Sequence, residues 1–203
     1  METTRNNGGA NSKRYPGIAA CGIDCGLCPL HHATTGDGCP GCTAPAPLGT
    51  KGRWCAIARC AVRDRGYETC AECTEFPCAR LDGWDERESV VSHLRTLDIL
   101  RSIRQHGLSA FLEQQQGRIS HLESMLKEFD DGRSKGYCCL AVALLPLDEL
   151  DIGLKEARRE VEERDIPGDD RKSRATILRR KLDSAAARLG ISLKLRRLPK
   201  PTV

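Results

Sequence analysis

Cys21-Gly22-Ile23-Asp24-Cys25-Gly26-Leu27-Cys28-Pro29, followed by Cys39-Pro40-Gly41-Cys42, opens a segment that holds ten of the twelve cysteines in the chain. Cys55-x4-Cys60 and Cys70-x2-Cys73-x4-Cys78 complete the segment. A Cys-x2-Cys pair sets two sulfurs on one tight turn, where both reach a tetrahedral ion about 2.3 Å away. The same turn seldom supplies the Cα separation and dihedral that a disulfide demands. The spacing therefore predicts metal ligation. Cys25, Cys28, Cys39 and Cys42 have the form C-x2-C-x10-C-x2-C, which closes one four-thiolate site unaided. Cys70, Cys73 and Cys78 supply three ligands of a second site, and the fourth comes from Cys55 or Cys60. In a regular α-helix those two lie about 140° apart, so only one is expected to face the ion, and Cys60 is the choice. Cys21 and Cys55 remain as spare thiols. Other pairings across the two sites satisfy the spacing equally.

Outward from this segment, composition limits what the chain can be. It has 203 residues, of which 39% are hydrophobic, 4% aromatic and 30% charged, so a large core is not expected. Small regions rich in Gly, Pro and Cys usually need staples in place of a core. The first residues carry no apolar signal-peptide run, and no stretch approaches the length of a membrane span. These features point to a cytoplasmic chain whose thiols stay reduced and free for metal. The formal net charge is +4 with thiols neutral. Each site of four thiolates and one divalent ion adds −2, so two such sites leave the loaded chain close to neutral. Lys51, Arg53, Arg59, Arg63 and Arg65 fit the role of counter-charges.

Residues 1–16 read as a disordered lead-in, 17–84 as the cysteine-rich metal-binding domain and 85–203 as a helical extension with a basic end. One short helix is predicted from about Trp54 to Arg65, stopped by Gly66. Val90, Leu94, Leu97, Leu100 and Ile103 mark another helix, and the apolar positions from Leu108 to Phe129 mark the clearest amphipathic one. Leu150, Leu154, Ala157 and Val161 mark a further helix, with its start near Asp148. Leu178, Leu182, Ala186 and Leu189 mark the last, ended by Gly190. Ile191, Leu193 and Leu195 then alternate with polar residues, which predicts one short strand. The expected fold class is thus α+β: a small irregular metal-stapled region, a mainly helical region and a C-terminal strand.

Other chemistry is thin. Cys138 and Cys139 open the apolar stretch from Leu140 to Leu145 and read as core. His31 and His32 follow a cysteine knuckle but are not needed beside ten thiols, and His93, His106 and His121 read as helix-surface residues. Cys21-x3-Cys25-x2-Cys28 matches the spacing of radical S-adenosylmethionine enzymes, yet the βα units that must follow are missing. From Arg171 onward there are eleven Lys or Arg and one acid, Asp183. Without aromatic residues this end predicts no more than weak, non-specific contact with nucleic acid. No set of catalytic residues emerges.

Taken in order, the motif around Cys21–Pro29, the Cys39–Cys42 pair, Ile57-Ala58-Arg59-Cys60-Ala61 and Cys70-Ala71-Glu72-Cys73-Thr74-Glu75-Phe76-Pro77-Cys78 resemble the family catalogued as domain of unknown function 3795. The resemblance spans roughly residues 18 to 82. It implies that all ten cysteines, Cys21 and Cys55 included, belong to a zinc or cluster site, and it implies no activity. The expected function is a zinc module with about two sites, acting as a structural or protein-interaction domain with an unidentified protein partner. The alternative is an iron–sulfur redox or accessory protein.

Overall fold

A computed structural model describes residues 13–32, 39 and 55–195. Among them the helices are α1 (Ala56–Ala58), α2 (Thr96–His106), α3 (Leu108–Phe129), α4 (Lys135–Leu144), α5 (Leu147–Glu163) and α6 (Arg171–Arg188). A π-helical turn, Arg59–Asp64, continues α1, and single 3-10 turns occur at Cys25–Leu27, Cys70–Glu72 and Ala79–Leu81. The described residues contain no strand, only the isolated bridges Ile18–Asp24 and Glu88–Ser92. The fold is therefore helical, and the expected α+β class with its C-terminal strand is overturned. The alternation at 191–195 is a burial pattern. Leu193 is buried and Ile191 half-buried against the helices, while Leu195 is exposed, and among the described residues no neighbouring strand shares a hydrogen-bond ladder with them.

The helix expected from Val90 starts later, at Thr96, because Val90 and Leu94 lie on an exposed preceding loop. His93, on that loop, is buried against Trp84 and is not a surface residue. Gly107, with φ +89°, separates α2 from α3. Asp170 caps α6 by accepting the Ser173 amide at 3.0 Å. The last turn of α6 ends at Gly190, whose φ of +66° suits the left-handed cap predicted there.

α3 is the central helix and packs against α2, α4, α5 and α6. One core joins Leu122, Met125 and Phe129 of α3 to Cys138, Cys139 and Val142 of α4, with Leu150 of α5 and Leu178 and Leu182 of α6. Gly153 lets α5 and α6 close, since a Cβ there would lie 2.9 Å from Leu182 Cδ2. Acids of α5 meet bases of α6: Arg180 and Lys181 reach Glu160, and Arg188 reaches Glu149 at 2.7 Å. Pairs this exposed add little stability, but they tie up much of the basic stripe.

A second core is built mostly of small residues: Ile18, Ala19, Ala20, Cys21, Ile57, Ala61, Val62, Ala71 and Leu81, closed by Leu100, Ile103 and Phe111 from α2 and α3. In exchange, Leu27 of the first 3-10 turn enters the helical core. The two regions interlock. The chain just before them is tied down as well, since Glu68 accepts the Arg14 amide at 2.7 Å and the Tyr15 amide at 3.3 Å.

Leu122 has no exposure in the larger core. Leu122→Ala is expected to lower unfolding stability by about 3–4 kcal/mol, through lost transfer energy plus the cavity left behind. A urea titration checks this: the midpoint falls while the slope stays constant.

Candidate metal centre

The cysteines fall into two neighbourhoods, each held by loops pinned to helices. Cys70 begins a 3-10 turn whose start is held by the Glu72 carboxylate, with the Thr69 amide donating to Glu72 Oε1 at 2.9 Å. The Cys70 amide donates to the Ala20 carbonyl at 2.8 Å, which ties this turn to the Cys21 segment. Arg104 of α2 donates to the Cys73 carbonyl at 3.0 Å and so anchors the far side of the turn.

Cys60, Cys70, Cys73 and Cys78 line one cavity together with Ile57, Phe76 and Leu81. These are the four residues that spacing and the helix expected around Cys60 assign to the second site. Burial pushes the Cys70 thiol up to about 12, and the neighbouring Cys78, Cys60, Cys73 and Cys55 add to the shift. Cys70 therefore lies within electrostatic reach of four other cysteines. Cys55 is exposed at the N-cap of α1, where its sulfur accepts the Ala58 amide at 3.3 Å. The π turn that follows is wider than an α turn. Cys55 and Cys60 both lie within electrostatic reach of Cys70, although a regular helix sets them about 140° apart.

Arg65 supplies counter-charge. Its Nη1 donates to Cys73 Sγ at 2.8 Å and its Nη2 to Glu75 at 3.2 Å. The same thiols and Glu75 raise the Arg65 pKa, with Cys73 the largest cause. Arg65 places a fixed cation beside the Cys73 sulfur, while burial and its neighbours keep Cys70 a thiol until a bound ion displaces the proton. The described residues contain no group of three or more His, Cys, Asp or Glu already converged at ligation distance. The sulfurs surround the cavity instead of meeting at a point. The chemistry of the donor set nonetheless fits a thiophilic ion.

The first neighbourhood is described in part, because Cys42 lies outside the described residues. Cys28 is buried, and burial raises its pKa, while the amides of Leu30 and His31 favour its thiolate and Cys39 opposes it. The Cys39 amide donates to the Leu30 carbonyl at 3.0 Å, which brings Cys39 back to the Cys28 turn. Cys21 is buried in the smaller core, and Cys25 packs against that core. His32 Nε2 is engaged with the Gly26 carbonyl at 2.7 Å. Cys138 and Cys139 are buried in the larger core, as expected, with burial lifting both thiols to about 12.

Three residues carry a role that spacing did not reveal. Gln115 of α3 is 5% exposed, and its Nε2 donates to the Gly17 carbonyl and to Asp24 Oδ1, both at 2.6 Å. It therefore locks the cysteine turn onto α3. Burial raises the Asp24 carboxyl to about 6. Arg118, buried on the same helix, donates to the Val142 and Leu145 carbonyls at the end of α4. A buried Gln or Arg on a helix reads as surface in a sequence, and only the burial exposes its function.

Among the described residues no helix is long and apolar enough to cross a membrane. Searches of curated proteins and of solved structures returned no significant match. The cysteine segment itself, residues 17–83, matches the model of the family described as Protein of unknown function (DUF3795), so the resemblance read from its four cysteine motifs holds over that third of the chain.

Proposed function

We propose that residues 17–83 form a zinc-binding module with two thiolate sites, acting in the cytoplasm as a structural or protein-interaction domain. The observation that carries this reading is the cavity lined by Cys60, Cys70, Cys73 and Cys78 with Arg65 hydrogen-bonded to one of its sulfurs. A closed set of four protein ligands is the mark of a structural zinc site, since catalytic zinc keeps one position open. Metal analysis of aerobically purified protein is the test. About two zinc per chain with no visible colour is expected; a brown protein with broad visible absorption overturns the reading.

An iron–sulfur protein is the second reading, favoured by a fifth thiol, Cys55, within electrostatic reach of Cys70. Expression with iron and sulfide followed by anaerobic purification decides it. A protein that holds no cluster under those conditions removes this alternative.

Contact with nucleic acid is expected to be weak. Bases along α6 are already paired with Glu149, Glu156 and Glu160 of α5. Any binding should be independent of sequence and fall steeply with salt as counterion release is lost. Titrations at two salt concentrations against unrelated sequences check this, and salt-resistant binding to one sequence overturns it.

A further inference from the structure

Between the cysteine turn, the 90–96 loop, α3 and α4 lies a cavity separate from the thiol cluster. Its walls include Ile99, Phe111, Leu140 and Leu144, and its charged lining consists of Asp24, Arg95 and Arg118. Arg118 is 6% exposed. It spends Nη1 on the carbonyls of Val142 and Leu145; among the described residues Nε and Nη2 have no hydrogen-bond acceptor. Arg95 is half-buried and spends Nη1 on the Ala143 carbonyl at 3.0 Å. Asp24 Oδ1 is committed to Gln115. Two guanidinium groups thus face one carboxylate in an apolar enclosure. Their mutual repulsion is the cost of this arrangement, and it is relieved by one more negative charge. Guanidinium edges suit a planar carboxylate, which can accept two parallel hydrogen bonds.

We infer that this cavity is a binding site for a short-chain monocarboxylate, with its carboxylate on Arg118 and Arg95 and its alkyl end against Phe111 and Leu140. The cavity measures about 50 Å3. Roughly 10–15 Å3 holds one water, so only a few heavy atoms fit. A long acyl chain or a nucleotide would have to extend beyond the cavity. The arrangement follows the usual plan of a small-molecule site, an apolar hollow with a few converging polar groups at the boundary of two packed regions.

Calorimetric titration of the full-length, metal-loaded chain with sodium butyrate tests this, with butyramide as the neutral isostere and octanoate as the size control. Butyrate is expected to saturate one site, butyramide to bind at least about tenfold more weakly, and octanoate to bind no better than butyrate. Arg118→Gln removes two bonds to the end of α4 and risks unfolding, so the variant is Arg95→Gln, which gives up only the bond to the Ala143 carbonyl and is expected to weaken butyrate about tenfold with unchanged circular dichroism. Methyl NMR gives a second readout, in which butyrate shifts the Leu140 and Leu144 resonances and butyramide does not. Equal binding of butyrate and butyramide, unaltered affinity in Arg95→Gln, or no saturable binding by either method overturns the inference.

Discussion

On the zinc reading proposed above, a chelator is expected to open residues 17–83 to proteolysis while α3 to α6 stay protected. The reason lies in the unequal cores. The helical core buries Phe129, Leu122, Met125, Leu150, Leu178 and Leu182, each worth about 1.5–3 kcal/mol on burial. The smaller core relies on Ala19, Ala20, Ala61 and Ala71 with few large side chains, and it borrows Leu100, Ile103 and Phe111 from α2 and α3. A structural zinc site contributes roughly 10–16 kcal/mol of apparent binding energy at neutral pH, and that energy is folding energy where the site does not persist unfolded. Cys73→Ser removes one of the four sulfurs proposed as ligands at the cavity and should open the same region. α2 is expected to loosen with it, because Arg104 holds the Cys73 and Phe76 carbonyls. Limited proteolysis with mass mapping, alongside far-ultraviolet circular dichroism, measures both parts. Unchanged protection of residues 17–83 without metal would show that the small core suffices alone, and the stapling argument would fail.

Among the described glycines of the cysteine segment, Gly22→Ala should be the most damaging single-methyl addition. Gly22 has φ +88°, and an added Cβ would sit 2.4 Å from the Thr96 carbonyl oxygen and 2.9 Å from Leu100 Cγ. Left-handed backbone costs an alanine about 1–2 kcal/mol, and overpacking adds about 1–3 kcal/mol. Gly132 provides the control. Its φ is +83°, and a Cβ there meets nothing within 4 Å. Gly132→Ala should therefore show the backbone cost alone, and the difference between the two variants measures how tightly the Cys21 segment docks on α2. Paired denaturant titrations read that difference. Equal losses in the two variants would mean that the segment is not seated against Thr96 as described.

How far these features could be read from residues alone differs by element. α3, α5 and α6 were legible because apolar side chains at helical spacing declare a buried stripe wherever the partner lies. The late start of α2 was not, since Val90 and Leu94 continue the helical spacing although they lie on an exposed loop. The C-terminal strand failed for a related reason. Alternation at Ile191, Leu193 and Leu195 records which side faces the core and says nothing of a hydrogen-bonding neighbour.

For the candidate site, residue types and short spacings were enough to nominate ligands, and a helical reading of residues 54–65 grouped Cys60 with Cys70, Cys73 and Cys78, which line one cavity. A tight turn fixes the distance between its two cysteines before any tertiary contact forms. Whether Cys55 faces the same way was outside that logic, because it depends on a π turn in place of an α turn. So were Gln115, Arg118 and the interlocking of Leu27 with the helical core. Those depend on contacts between residues far apart in the chain, and no local pattern encodes them. The sequence by itself determined which atoms are available to bind metal and which helix faces are apolar. The tertiary structure decided which of them meet, because meeting is settled by packing against partners distant in sequence.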